Sequence, residues 1–338
     1  MKLTKSEQVV INAAPQTGHD ADDDFPGLDR PQELRAYFER EGYVVLRNAL
    51  PAPLCEAAKQ AFLNEVHPDR RGFFKRHESG IQERHVLTPA GLMKYPVVNF
   101  QDISSRKYPT FKRRGLALLT DDVIQRAVAA LLGEPGRMVH TMYFDGNQTT
   151  WAHRDGDYFG SRRNGTMLGV WVAAEHIHPD AGRFFMLPRS HRTAVPGEER
   201  DPNGRTYKQV MADFVRSGVL PLVAPVLNQG DVLIWNAMAV HGSLPTADES
   251  FSRRSFTAHY IAASQEFTWK VGASHTHRTM LVNQVPVTLH GAQHSLRNNV
   301  VNTLRTDFPG LYQLAKATRP RRLLERVRAY RTASTIKP

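Results

Sequence analysis

The spacing of apolar positions changes character twice along the chain. Early on it is helical. Leu34, Tyr37 and Phe38 share one face of a helix predicted to start at Pro31, a residue suited to the first turn, and to stop at Glu41-Gly42. YVVLRNAL then reads as a strand, and PAPLCEAAKQAFLNEV as a second amphipathic helix opened by proline. Residues 67–120 are polar and basic, hold Pro89, Pro96 and Pro109, and keep no period, so loops and short helices are expected. TDDVIQRAVAALLG, with aspartates in its first turn and a closing glycine, predicts a helix over 120–133. From 137 to 264 short β-branched and aromatic runs take over: MVHTMYF, LGVWVAA, RFFMLP, VLPLVAPVL, DVLIWNA and SFTAHYIAA. Turn residues separate them and no long helix intervenes, which predicts a mainly β barrel or jelly roll. After 272 the pattern is read as helical again. It ends in PRRLLERVRAYR, where Leu323, Leu324, Val327 and Tyr330 line one face beside five arginines.

The β region holds the candidate chemistry. In TWAHRDGDYF, His153 and Asp155 lie two apart, so a strand turns both toward one metal ion. His241, in GDVLIWNAMAVHGS, is the third ligand candidate. Two imidazoles and one carboxylate on one side of a metal leave the other side open, as in non-haem Fe(II) oxygenases. Arg253 and Ser255, in FSRRSFTAHYI, share a strand face and suit the distal carboxylate of a dicarboxylic co-substrate. Two further His-x-Asp triplets, at His67 and His178, carry a central proline that suits a turn better than a strand. The pairs His176/His178 and His275/His277 lack a third ligand at sensible spacing.

Composition narrows the setting. With 41% hydrophobic and 23% charged residues the chain has the balance of a globular domain. No apolar run approaches the ~20 residues that span a bilayer. Its start lacks a secretory apolar core, and its single cysteine, Cys55, makes no internal disulfide, so a cytoplasmic location is expected. A net charge of +11 favours anionic company. No nucleic-acid-binding signature accompanies it, so nucleic acid is not expected as a partner. The basic C-terminal helix is read either as a peripheral contact to an anionic membrane or as a stripe docked on the core.

Over roughly residues 31–265 the chain resembles the phytanoyl-CoA dioxygenase family of Fe(II)/2-oxoglutarate oxygenases. The matching pieces run in order: EREGYVVLRNAL, VHTMYF, HRDGDYF, VWVAAEHI, AGRFFMLPRSH, GDVLIW and HGSLPTADESFSRRSFTAHY. The resemblance implies a cupin-like double-stranded β-helix with flanking N- and C-terminal helices. It also implies iron on His153, Asp155 and His241, and 2-oxoglutarate held by Arg253 and Ser255, with Met142, Trp171 and Ser243 lining its pocket. On pattern alone Met142 and Trp171 read as core. The family's upstream lysine matches Lys94 or Lys107. Arg189 stands where the family commonly has glycine.

The expected reaction takes Fe(II), 2-oxoglutarate and O2, with ascorbate as reductant in vitro, hydroxylates an unactivated C–H bond and releases succinate and CO2. Asp155 argues against halogenation, which needs a small residue there. Desaturation, epoxidation and cyclisation share the same site, and a non-catalytic binding barrel is the reading from outside enzymology. Arg162, Arg163 and Tyr158, just after the Asp155 ligand, are candidates for holding a small anionic substrate. The expected layout is an acidic leader over 1–30, an oxygenase domain over 31–271 with its barrel at about 137–264, and a basic helical extension over 272–338.

Overall fold

Strand alternation and helix caps account for most of the architecture. The computed structural model describes residues 24–76, 81–161, 166–195, 204–270 and 277–317. Helix α1 (Pro31–Glu41) ends at Gly42, whose φ of +82° is the left-handed conformation that glycine adopts without strain. There follow β1 (Tyr43–Leu46), α2 (Ala52–Glu65), β2 (Phe73–Lys75), β3 (Gln82–Arg84), β4 (Val97–Val98) and α3 (Pro109–Leu119). Helix α4 (Asp122–Leu132) is capped by the Asp121 carboxylate, which accepts from the Val123 N–H at 2.9 Å. Then come β5 (Gly136–Phe144), β6 (Phe159–Ser161), β7 (Met167–Ala173), β8 (Phe184–Met186), α5 (Tyr207–Arg216), β9 (Val232–Asn236), β10 (His241–Ser243), β11 (Ser255–Ala262) and β12 (Phe267–Trp269). Last are β13 (Arg278–Val282), β14 (Val285–Leu289), α6 (Leu296–Asp307) and α7 (Pro309–Ala317).

Eight strands form one mixed sheet in the order β1-β9-β7-β11-β5-β14-β13, with β4 also on β5. All its pairings are antiparallel except the short β14–β5 contact. Strands β10 and β8, β12 and β6, and β2 and β3 form three smaller pairs. Register assigns the two faces of the large sheet. Phe256 lies across from Tyr143 and Val172, and Ala258 across from Val170. Helices cover that face: Phe62 of α2 meets the Tyr143 ring at 4.3 Å, and Phe111 of α3 meets Phe256 at 6.1 Å. Close approach of α3 depends on Gly115, because a Cβ there would sit 3.0 Å from both Phe100 and Phe256. The opposite face carries Thr257 and His259, and β6, β8, β10 and β12 lie over it. Phe184 of β8 is 5.1 Å from the Trp235 ring, and Phe159 of β6 is 5.0 Å from His259.

Several expectations need correction. Among the described residues helix outweighs strand, so the chain is mixed rather than mainly β. VLPLVAPVL makes one bridge, between Val223 and Met186, because Pro221 and Pro225 withhold ladder donors. Residues 278–289 are a hairpin, not helix, turning through Asn283 and Gln284 at φ +47° and +65°. Helix α3 lies inside the stretch that showed no period. The chain divides into compact units at 1–292 and 293–338. Most of the acidic leader, the arginines at 162 and 163, and the segment 320–331 fall outside the described residues.

Candidate metal centre

His153 and His241 are locked together by their backbones. Each donates its N–H to the other's carbonyl, at 2.9 and 3.0 Å, which brings the imidazole centroids to 4.3 Å. Each ring is also fixed from behind. Nδ1 of His153 lies 2.8 Å from the Trp151 carbonyl, and Nδ1 of His241 lies 3.0 Å from that of Ala239. With Nδ1–H spent on these carbonyls, both Nε2 lone pairs are left for a metal. Asp155 completes the group. Its Oδ1 is 3.4 Å from His153 Nε2 and its Oδ2 is 3.4 Å from His241 Nε2, and one ligand atom of each residue falls within 4.8 Å of the others. Asp155 begins a single 3-10 turn rather than a strand, so alternation is not what aims it.

Two residues that the sequence reading did not single out hold the carboxylate. The Trp235 indole N–H and His259 Nε2 donate to Asp155 Oδ2, at 2.9 and 3.0 Å. Oδ1 is therefore the oxygen with lone pairs to spare. Trp235 reaches this position only because residue 169 is glycine. A Cβ there would fall 2.1 Å from the indole ring. Burial raises the Asp155 carboxyl, but His241, His259 and His153 outweigh it and hold its pKa well below the usual range. Burial draws the His241 imidazole down to about 4, whereas for His153 the contact with Asp155 outweighs burial and raises it. Two neutral-capable imidazoles and one anionic carboxylate, braced from behind, suit a divalent iron.

Of the remaining predicted residues, Met142, Trp171 and Ser255 share the sheet face that carries Thr257 and His259. Thr257 lies between Met142 on β5 and Trp171 on β7, so these three share a row. Trp171 packs against Phe184 at 6.2 Å, and Phe184 is stacked parallel to His241 at 5.4 Å. Ser243 exchanges hydrogen bonds with Thr150: its Oγ accepts from the Thr150 N–H at 2.7 Å. Arg253 donates to the carbonyls of Gly182 and Gln148, the latter at 3.0 Å. Gly182 is two residues from Phe184 and Gln148 two from Thr150, which draws Arg253, Ser243 and Trp171 into one neighbourhood beside His241. Ser255 is fully buried, its hydroxyl 3.3 Å from the Arg253 carbonyl.

Arg253 and Arg254 differ sharply. Arg254 pairs with Asp145 at 2.7 Å and with Glu175 at 3.2 Å. Arg253 is 4% exposed, and no described carboxylate pairs with it. Burial pulls its guanidinium down to about 10. A buried cation without a protein anion is costly, and a ligand carboxylate would neutralise it.

Tyr158 stands 6.4 Å from His153 and joins Trp151 and Tyr207 in a cluster of rings, a grouping the sequence did not reveal. Asp157 accepts from Arg154 twice at 3.0 Å and from the Tyr207 hydroxyl, anchoring the turn after the ligand. Lys107 pairs with Asp69 and Lys94 lies over Tyr95, so neither is tied to this cluster. Arg189 does not face the metal group. It turns back to Glu41 at 3.0 Å, from a backbone φ of +67° at which glycine would be unstrained.

The phytanoyl-CoA dioxygenase family model matches residues 38–255. The chain belongs to that family. Its members are 2-oxoglutarate-dependent non-haem iron dioxygenases. The human peroxisomal phytanoyl-CoA dioxygenase is 23% identical over 280 residues, covering 78% of each chain. Two solved structures share the fold. The α-ketoglutarate-dependent carbocyclase SnoK from nogalamycin biosynthesis is 20% identical, with TM-score 0.52, and covers 71% of this chain and 87% of its own. The epimerase SnoN, in complex with Fe3+, α-ketoglutarate and nogalamycin RO, is 18% identical, with TM-score 0.51, and covers 77% and 98%. As a family member, the chain is an iron- and 2-oxoglutarate-dependent oxidoreductase.

Proposed function

We propose that this dioxygenase hydroxylates an unactivated C–H bond of a small anionic molecule, with iron on His153, Asp155 and His241 and 2-oxoglutarate anchored by Arg253. The buried Arg253, near the His-Asp-His group and paired with no described carboxylate, is the observation that carries this reading. Its guanidinium takes the distal carboxylate of the co-substrate, and Ser255 adds a hydroxyl to the same contact. Met142, Trp171 and Ser243 line the pocket between that anchor and the metal. Bound there, iron and 2-oxoglutarate supply the oxidant for the C–H bond, the co-substrate leaving as succinate and CO2.

The chain's own contribution is placement. Trp151 and Ala239 carbonyls orient the imidazoles, while Trp235 and His259 hold Asp155 to one free oxygen. Phe159 and Phe184 keep bulk water from the face they cover. The large sheet and the smaller pairs above it are read as a double-stranded β-helix enclosing this site. Tyr158 borders the open side, and Arg162 and Arg163 follow it closely in the chain, which favours a phosphate or carboxylate on the substrate. Buried Cys55, its thiol pushed up to about 11 by burial, forms no disulfide, in keeping with a cytoplasmic enzyme.

The test is succinate release from 2-oxoglutarate by the purified protein with Fe(II) and ascorbate in air. Metal-dependent succinate is expected even without the true substrate, as slow uncoupled turnover. No succinate from folded, iron-loaded protein would favour a binding barrel instead.

A further inference from the structure

Residues 244–254 join β10, which carries His241, to β11, and none of them lies in a strand or helix. Arg253 is among them. The sheet ladder begins at Ser255, paired with Phe144, so it stops short of the arginine and does not aim its side chain. The proposed anchor for 2-oxoglutarate therefore needs support from outside the sheet.

Two neighbouring segments supply it. On one side, Leu244 and Ala247 donate their N–H groups to the carbonyls of Arg183 and Asp180, at 2.8 and 2.9 Å. On the other side stand residues 145–148. The Asp145 carbonyl accepts from the Arg253 N–H at 3.3 Å, and the Gln148 carbonyl accepts from its guanidinium at 3.0 Å. Between them sits Asn147, which is 5% exposed. Its Nδ2 spends both protons on the loop, donating to the carbonyl of Asp248 at 3.0 Å and to that of Phe251 at 2.8 Å. One amide thus brackets both ends of the turn that leads into Arg253. The Asn147 carbonyl also accepts from the Thr246 hydroxyl, which ties down the start of the same loop. The bracket has a firm base, because the buried Asp145 carboxylate accepts from the Met93 N–H at 2.7 Å.

We infer that Asn147 is a positioning residue for the co-substrate, holding Arg253 through the 248–251 turn where it meets the distal carboxylate of 2-oxoglutarate. The inference rests on the reading of Arg253 as the anchor. Without the bracket, Arg253 would have to be ordered at each binding event, and the cost of that ordering is taken from affinity. The amide spends its donors on neutral carbonyls and brings no charge to the ligand, so its effect passes through Arg253.

Asn147→Leu keeps a similar branched shape and removes both donors. Anaerobic calorimetric titration of the iron-loaded variant should show 2-oxoglutarate bound roughly tenfold more weakly, with Fe(II) affinity unchanged. A double-mutant cycle with Arg253→Ala then separates positioning from general loosening. Added to Arg253→Ala, Asn147→Leu should cause little further loss, since the residue it holds is gone. Thr246→Val removes only the hydroxyl contact and should weaken binding roughly threefold by the same route. It carries the cycle if Asn147→Leu does not fold. Equal losses with and without Arg253, or unaltered 2-oxoglutarate binding in folded Asn147→Leu, would overturn the inference while leaving the anchor in place. Binding unchanged by Arg253→Ala itself would overturn the anchor, and this inference with it.

Discussion

The two faces of the large sheet are built from alternate residues of the same strands and serve opposite ends. On β11, Phe256, Ala258 and Tyr260 point into the helix-covered core, where Tyr143, Phe62 and Phe111 surround them. Ser255, Thr257 and His259 point the other way, into the enclosed space beside Asp155. Both faces exclude water, but they differ in how polar groups are satisfied. Arg254 has two protein carboxylates within ion-pair distance, whereas Arg253 has none among the described residues. Arg253 donates only to carbonyls, and among the described residues the hydroxyl of Thr257 and Nδ1 of His259 are buried without hydrogen-bond partners. Natural interiors rarely leave such groups unmatched; the Tyr143 hydroxyl on the helix-covered face is one exception, and those beside Asp155 mark where ligands belong.

The contrast is most exposed to a pair of truncations. Phe111→Ala should cost about 3–5 kcal/mol of stability through a cavity under the sheet, with metal affinity of the folded fraction unchanged. His241→Ala should do the reverse, ending turnover and tight metal binding while leaving the apo melting temperature nearly intact. Chemical denaturation and metal titration of both variants check this. Equal losses of stability would erase the distinction between the faces.

The neighbouring arginines sharpen it. Strand alternation alone predicts a mild Arg254→Ala. The structure corrects this, because buried Asp145 would lose its cation and half-buried Glu175 one of two, at a cost of about 3–5 kcal/mol. Arg253→Ala should instead raise the 2-oxoglutarate requirement about 30- to 1000-fold, corresponding to roughly 2–4 kcal/mol of lost binding. Melting curves and succinate assays on the two variants would separate the effects. Similar behaviour in both assays would break the comparison.

A buried carboxyl elsewhere gives a control. Asp102 is pushed up to about 6 by burial, against the pull of backbone N–H groups at His290 and Gly291. A carboxyl whose folded pKa exceeds its unfolded value adds stability below about pH 4, and that stability is lost as pH rises through about 6. Asp102→Asn should thus be more stable than the parent by about 2 kcal/mol at pH 7, with the gap closing by pH 4. His290, drawn down to about 4 by burial, loses stability on acidification in both proteins and cancels in the difference. A gap that does not change with pH would show that Asp102 is not the titrating group. The smallest effect is expected for Trp235→Phe, which removes one hydrogen bond from Asp155. Metal affinity should fall about tenfold, or ~1.4 kcal/mol, without loss of fold.

The metal ligands were legible because the chemistry needs particular residue types at recognisable spacing. His-x-Asp, His-Gly-Ser and Arg-x-Ser recur in an order that few folds would produce by chance. The braces behind them were less visible. His259 has the same strand parity as Arg253 and Ser255, so alternation could have found it. Trp235, inside the apolar run VLIW, reads as core, and only the three-dimensional approach of Asp155 reveals its N–H. Helix α3 was obscured by Lys112, Arg113, Arg114 and Gly115, which dilute its apolar face. The β13–β14 hairpin was missed because Asn283-Gln284 is a weaker turn signal than Asn-Gly, and its strands alternate poorly. Local pattern specified the half-buried elements well, and failed where tertiary contact decides the outcome.

Anaerobic calorimetric titration of the apo protein with Fe(II), then with 2-oxoglutarate, tests the site most directly. One Fe(II) should bind per chain, and 2-oxoglutarate should bind at least tenfold more tightly once the metal is present. Asp155→Ala should lose the metal step and Arg253→Ala chiefly the co-substrate step. Metal binding by folded Asp155→Ala equal to that of the parent, or 2-oxoglutarate binding indifferent to both iron and Arg253, would contradict the assignment of this face as the active site.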